Sequence, residues 1–154
     1  MNQTDASGAQ ALSLNSEVRF ADREASLRIL VAEDNGALRR LLALVLARDG
    51  HDVVQASDAG ELLETLASSL IEEGGAPFDL VICEHSLPGS VGLAVLAGLR
   101  ARDRVTPFIL ITADEEVQRT ARRLGAVVLD HPFSVAAIRD AIQQSAALVA
   151  AAND

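Results

Sequence analysis

Groups able to do chemistry recur in one pattern, each directly after a short apolar run. Glu33 and Asp34 follow residues 29–32, Glu84 follows Leu80-Val81-Ile82-Cys83, and Thr112 ends the run that begins at Phe108. Asp130 and His131 follow residues 126–129. Two adjacent acids after a buried run are costly unless a cation lies between them, and carboxylate oxygens are the ligands Mg²⁺ prefers. A Mg²⁺ seat at Glu33, Asp34 and Glu84 is the sharp reading. The plain one has acids balancing a helix N-terminus. His131 is the nearest cationic group expected beside these acids, although a hydrogen-bonded structural role is the commoner fate of such a histidine. A cis bond before Pro132 would aim it inward. Cys83 sits within an apolar run and reads as an inert small hydrophobe. His51 and His85 read as loop residues with no assigned role.

The elements that must hold these groups alternate in type. Apolar runs at 29–32, 53–56, 80–83, 108–112 and 126–129 are mostly apolar at consecutive positions, as strands buried on both faces require. Between them lie helical periods. Asn35 is placed to cap a helix burying Leu38, Leu41, Leu42, Val45 and Leu46, with Gly50 at its stop. Asp58 and Glu61 form a capping-box pattern before Leu62, Leu63, Leu66 and Leu70. Leu93, Leu96 and Leu99 mark a third helix after the Leu87-Pro88-Gly89 turn. A fourth starts acidic at residues 114–116 and ends basic at Arg122 and Arg123, as the helix dipole favours. Ser134 is placed to cap the last, with Ile138 and Ile142 inward. Five βα units predict an α/β fold with helices on both faces of one parallel sheet. Such sheets bind ligands beyond the carboxyl ends of their strands, which is where the chemical groups fall.

Composition narrows the function. Acidic residues outnumber basic ones 22 to 13, giving a net charge of −9 that disfavours binding to nucleic acid. Every basic residue is Arg, so no side-chain primary amine is available. One cysteine excludes an intramolecular disulfide framework and any Cys-rich metal site. The apolar runs are too short to span a bilayer, and no secretory signal is read at the N-terminus, so a cytoplasmic setting is expected. Residues 1–26 read as a polar arm with a short helix at 16–25, residues 27–147 as one domain, and 148–154 as a tail.

Fragments in this order resemble the receiver domain of bacterial two-component response regulators, the CheY-like, flavodoxin-like fold. They are Ile29-Leu30-Val31-Ala32-Glu33-Asp34-Asn35, Phe78-Asp79-Leu80-Val81-Ile82-Cys83-Glu84, Leu87-Pro88-Gly89 with Gly92-Leu93, Ile109-Leu110-Ile111-Thr112-Ala113, and Leu124-Gly125-Ala126 leading to His131-Pro132-Phe133. The resemblance implies a five-stranded sheet of order 2-1-3-4-5 with five helices. It also implies Mg²⁺ held by the acidic pair and a central aspartate, which accepts phosphate from a histidine kinase, and a Thr and a Lys contacting the phosphoryl group. Glu33 and Asp34 match the acidic pair and Thr112 the hydroxyl. Glu84 stands at the phosphoacceptor position, His131 at the lysine position, Val91 where many members have Asp, and Val128 at the aromatic switch position.

These departures have physical consequences. Glu carries its carboxylate roughly 1.5 Å further out than Asp. In-line attack tolerates displacements of only a few tenths of an ångström, so phosphate acceptance is expected to be badly impaired. The expected function is therefore a stand-alone atypical receiver, or pseudo-receiver, acting by protein contact with a sensor kinase or effector rather than as an enzyme. Two alternatives stand beside it: a receiver still modified or metal-switched through Glu84, and a metal-dependent hydrolase built on Glu33, Asp34 and Glu84. The partner surface is expected on the fourth helix at Arg119, Arg122 and Arg123. A homodimer through the helix 4–strand 5–helix 5 face would use the same surface. Arg100, Arg102 and Arg104 read as a solvated helix edge.

Overall fold

Side-chain alternation along three short strands divides the interior in two. In the computed structural model, which describes residues 26–71, 77–102 and 105–152, β1 (Arg28–Ala32), β3 (Leu80–Glu84) and β6 (Phe108–Ile111) form the centre of a parallel sheet. Leu30, Ala32, Val81, Cys83, Phe108 and Leu110 point to one face, and Ile29, Val31, Leu80, Ile82, Ile109 and Ile111 to the other. Nearly all are fully buried, which is why these strands read as unbroken apolar runs. β2 (Asp52–Ala56) and β7 (Val127–Leu129) flank them, giving the order β2-β1-β3-β6-β7. This is the order expected for the five sheet strands, all parallel.

Five helices cover the two faces. α1 (Gly36–Arg48) and α5 (Val135–Ala152) bury Leu42, Leu46, Ile138 and Ile142 on one side. On the other, α2 (Ala59–Ile71), α3 (Gly92–Ala101) and α4 (Glu115–Arg123) bury Leu62, Leu66, Leu96, Leu99 and Ala121. Leu41 and Leu63, expected inside, are about half exposed because each lies at the margin of its helix's apolar stripe. Asn35 caps α1 through its side chain, which accepts from the amides of Ala37 and Leu38. At α2, Asp58 accepts from the Glu61 amide while Glu61 reaches back to Ser57 rather than to Asp58 itself. Ser134 caps α5, which runs on through most of the expected 148–154 tail. The short helix expected at 16–25 lies outside the described residues.

Two features escape the simple βα reading. β4 (Ser86–Leu87) and β5 (Ser90–Val91) make a small antiparallel hairpin between β3 and α3. At its end Gly92 is pressed so closely that a Cβ would lie 2.8 Å from Leu110 and 2.9 Å from the Glu84 carbonyl. Only glycine lets α3 start against the end of β3. The second feature is Arg100. It is not a solvated edge: its Nε donates to the Leu124 carbonyl at 2.6 Å and its Nη1 to that of Thr106 at 2.9 Å. The guanidinium thereby binds α3 to the end of α4 and the approach to β6. Arg102 is exposed as expected, and Arg104 lies outside the described residues.

Candidate acidic site at the strand ends

The carboxyl ends of the central strands bring Glu33, Glu84 and His131 together. Glu33 follows β1 and is 3% exposed, and its amide donates to the Ala56 carbonyl of β2. Its Oε1 accepts from the Asn35 amide at 3.1 Å, whereas Oε2 is buried without a hydrogen-bond partner. Burial, with Glu84 close by, pushes this carboxyl up to about 7, against the Asn35 amide, which favours the charged form. Crowded acids thus leave one of them holding its proton unusually well. Asp34 is exposed beside it.

Glu84 closes β3, in register with Ile111 of β6. Its Oε2 lies 2.7 Å from Nε2 of His131, reached from the loop after β7. A carboxylate can only accept, so the ring N–H donates. The bond before Pro132 is cis, and the imidazole lies 5.5 Å from the Phe133 ring. Thr112 is buried, and its hydroxyl accepts from the Asp114 amide at 3.1 Å, committing it to the turn into α4. Gln118 of α4 donates to the Thr112 carbonyl at 2.8 Å and holds that turn. Arg119, Arg122 and Arg123 lie apart from this site, exposed on α4.

Other residues behave as their surroundings dictate. Cys83 is fully buried, and burial pushes its thiol up to about 12, so no thiolate forms. Val91 is exposed and supplies no side-chain cap to α3. Val128 packs against the core. The sequence reading missed Arg39, whose Nη1 donates to the Glu33 carbonyl at 2.8 Å. It places a guanidinium against the backbone of Glu33. Its place in the first turn of α1, just after Glu33 and Asp34, was the available signal.

The hard oxygen donors and the orphaned Glu33 Oε2 fit a divalent cation in chemistry. In arrangement they are less complete. No group of three or more His, Cys, Asp and Glu side chains is close enough to hold a metal among the described residues, and His131 already engages Glu84.

This placement of acids, hydroxyl and histidine at the ends of a 2-1-3-4-5 sheet has a family. The model for the response regulator receiver domain matches residues 29–143. The chain belongs to that family. Its relatives include the uncharacterized transcriptional regulatory protein YkoG of Bacillus subtilis, 35% identical over 124 residues, covering 76% of this chain and 51% of YkoG. The sensory/regulatory protein RpfC of Xanthomonas campestris is 31% identical over 135 residues, covering 83% of this chain and 18% of RpfC. The chain thus spans about half of YkoG and far less of RpfC. Among solved structures, a response regulator receiver domain protein from Clostridium thermocellum aligns with a TM-score of 0.69 at 23% identity, covering 77% of this chain and 93% of that one. Full-length FixJ from B. japonicum aligns at 0.67 and 26% identity, covering 80% and 59%. Receiver domains are signalling modules of two-component systems and typically hold Mg²⁺ at the phosphorylation site. No described helix of this receiver is long and apolar enough to cross a membrane.

Proposed function

We propose that this receiver is a pseudo-receiver: it signals by contact with another protein in a cytoplasmic phosphorelay, without normal aspartyl phosphorylation. The observation that carries this is the 2.7 Å contact between His131 and Glu84. The carboxylate at the phosphoacceptor position is one methylene too long for in-line attack, and one of its oxygens is already engaged within the protein. No lysine can replace His131 as the cation that contacts a phosphoryl group. A sensor kinase or a downstream effector is the partner class, with exposed Arg119, Arg122 and Arg123 on α4 as the contact surface.

If Mg²⁺ binds, Glu33, Asp34 and Glu84 would hold it, and it would supply charge neutralisation among the acids. This chain's own residues do the same work in part. Glu33 keeps its proton up to about pH 7, and His131 donates to Glu84.

Incubation with a small phosphodonor and Mg²⁺, followed by intact mass, tests the proposal. No mass gain is expected for the wild type, and Glu84→Asp combined with His131→Lys should recover labelling. A gain in the wild type that disappears in Glu84→Gln means that Glu84 is still a phosphoacceptor, and the proposal falls.

A further inference from the structure

The first described residues join the domain along one seam, against the turn between α1 and β2. The Ser26 hydroxyl donates to the Gly50 carbonyl at 2.7 Å, and the Asp52 amide donates to the Leu27 carbonyl at 2.9 Å. Between them the Leu27 amide donates to Nδ1 of His51 at 3.0 Å. This bond differs in kind from the other two. A peptide N–H can donate only to an unprotonated ring nitrogen, so it fixes Nδ1 as acceptor and leaves the ring proton on Nε2. A proton added at Nδ1 would set two donors face to face.

We propose that His51 is a proton-sensitive latch fastening Ser26 and Leu27 to the turn between α1 and β2, closed around neutral imidazole and released when acid protonates Nδ1. The charged groups around it do not defeat the device. A hollow of about 470 Å³ beside the ring is lined by Asp49 from the turn and Arg139 from α5. These two are committed to each other in a two-pronged pair, Nε to Oδ2 at 2.9 Å and Nη2 to Oδ1 at 3.0 Å. Arg48 at the end of α1, Asp52 on β2 and Asp140 on α5 are exposed, and Arg28 on β1 is half-buried. Burial lowers the His51 pKa, while Asp49 pulls weakly the other way. The unfolded chain therefore binds the proton more readily than the folded one. The latch's contribution is complete above the ordinary histidine value of about 6.5 and is lost as pH falls through the lower folded value.

The test is NMR on the full chain, labelled with ¹⁵N. At pH 7.5 the His51 ring should show the tautomer with its proton on Nε2. Between pH 7.5 and 5, the exchange protection of the Leu27 amide, corrected for intrinsic rates, should fall on the order of tenfold, the worth of one such bond. The Leu30 and Ile82 amides, in the central strands, should keep theirs. His51→Asn, whose side-chain oxygen accepts but cannot be protonated, should remove the pH response. The proposal is overturned by a ring proton on Nδ1 at pH 7.5, by uniform loss of protection across all three amides, or by an unchanged Leu27 response in His51→Asn. The wild-type tautomer and exchange data decide the matter even if that variant does not fold.

Discussion

Glu33 and Glu84 show how a single residue's environment outweighs its type. Both are glutamates at strand ends, yet one is buried with an unpartnered oxygen and the other is bonded to His131. Because the Glu33 pKa is raised from 4.5 to about 7, the folded protein binds more protons than the unfolded chain between those values. Its contribution to stability is present below about pH 4.5 and is lost as pH rises through 7. Glu33→Gln keeps the acceptor for Asn35 without the charge. It should change the melting temperature little at pH 5 and raise it clearly at pH 8, by roughly 6–12 °C for an effect of about 2–3 kcal/mol. An equal shift at both values would show that charge is not the cause. His131→Ala frees Glu84 for a cation. With a Kd near 1 mM, 10 mM Mg²⁺ would then add about 1.4 kcal/mol, read as a rise in melting temperature larger than in the wild type. Equal responses would mean that His131 does not compete with the metal.

At the scale of elements, one arginine does what an apolar contact would usually do. Arg100 satisfies the carbonyls of Leu124 and Thr106, and so joins α3 both to the approach to β6 that follows it and to the end of α4, 24 residues on. Arg100→Ala should destabilise by about 2 kcal/mol in urea unfolding with an unchanged m value, because two backbone acceptors lose a charged donor. Arg100→Lys should recover only part of this, since an ammonium cannot match the guanidinium fork. A full recovery would point to lost packing instead. Gln118 plays a related part at α4, where its bond to the Thr112 carbonyl couples the helix carrying the arginine surface to the turn beside the acidic site.

Across the whole molecule, the core and the proposed contact surface lie in different regions. The core lies between the sheet and its two helix layers, whereas Arg119, Arg122 and Arg123 are exposed and take no part in it. Replacing all three with Gln, which puts no acid at the C-terminal end of α4, should shift unfolding free energy by no more than about 0.5 kcal/mol per site. It should also abolish capture of the cognate kinase or effector in a binding assay if this face is the partner surface. Retained binding with the same affinity would move the interface elsewhere.

The sheet strands were legible in the sequence as apolar runs, and their order followed from the resemblance to receiver domains. Buried parallel strands cannot afford polar side chains, so the runs at 29–32, 80–83 and 108–112 stood out against their helices, and the groups after them had to share one end of the sheet. Capping by Asn35 and Ser134 was legible for a similar reason, since a cap bonds within a few residues. What the sequence left open were contacts between residues distant along the chain. Glu84 and His131 are 47 residues apart, Arg100 and Leu124 are 24 apart, and so are Leu27 and His51. Local pattern reports how each segment buries its own apolar face, but a hydrogen bond at 2.7 or 3.0 Å depends on where two separately formed segments come to rest. Only the packed tertiary structure turned His131 toward Glu84, withdrew Arg100 from solvent and gave His51 an amide to hold.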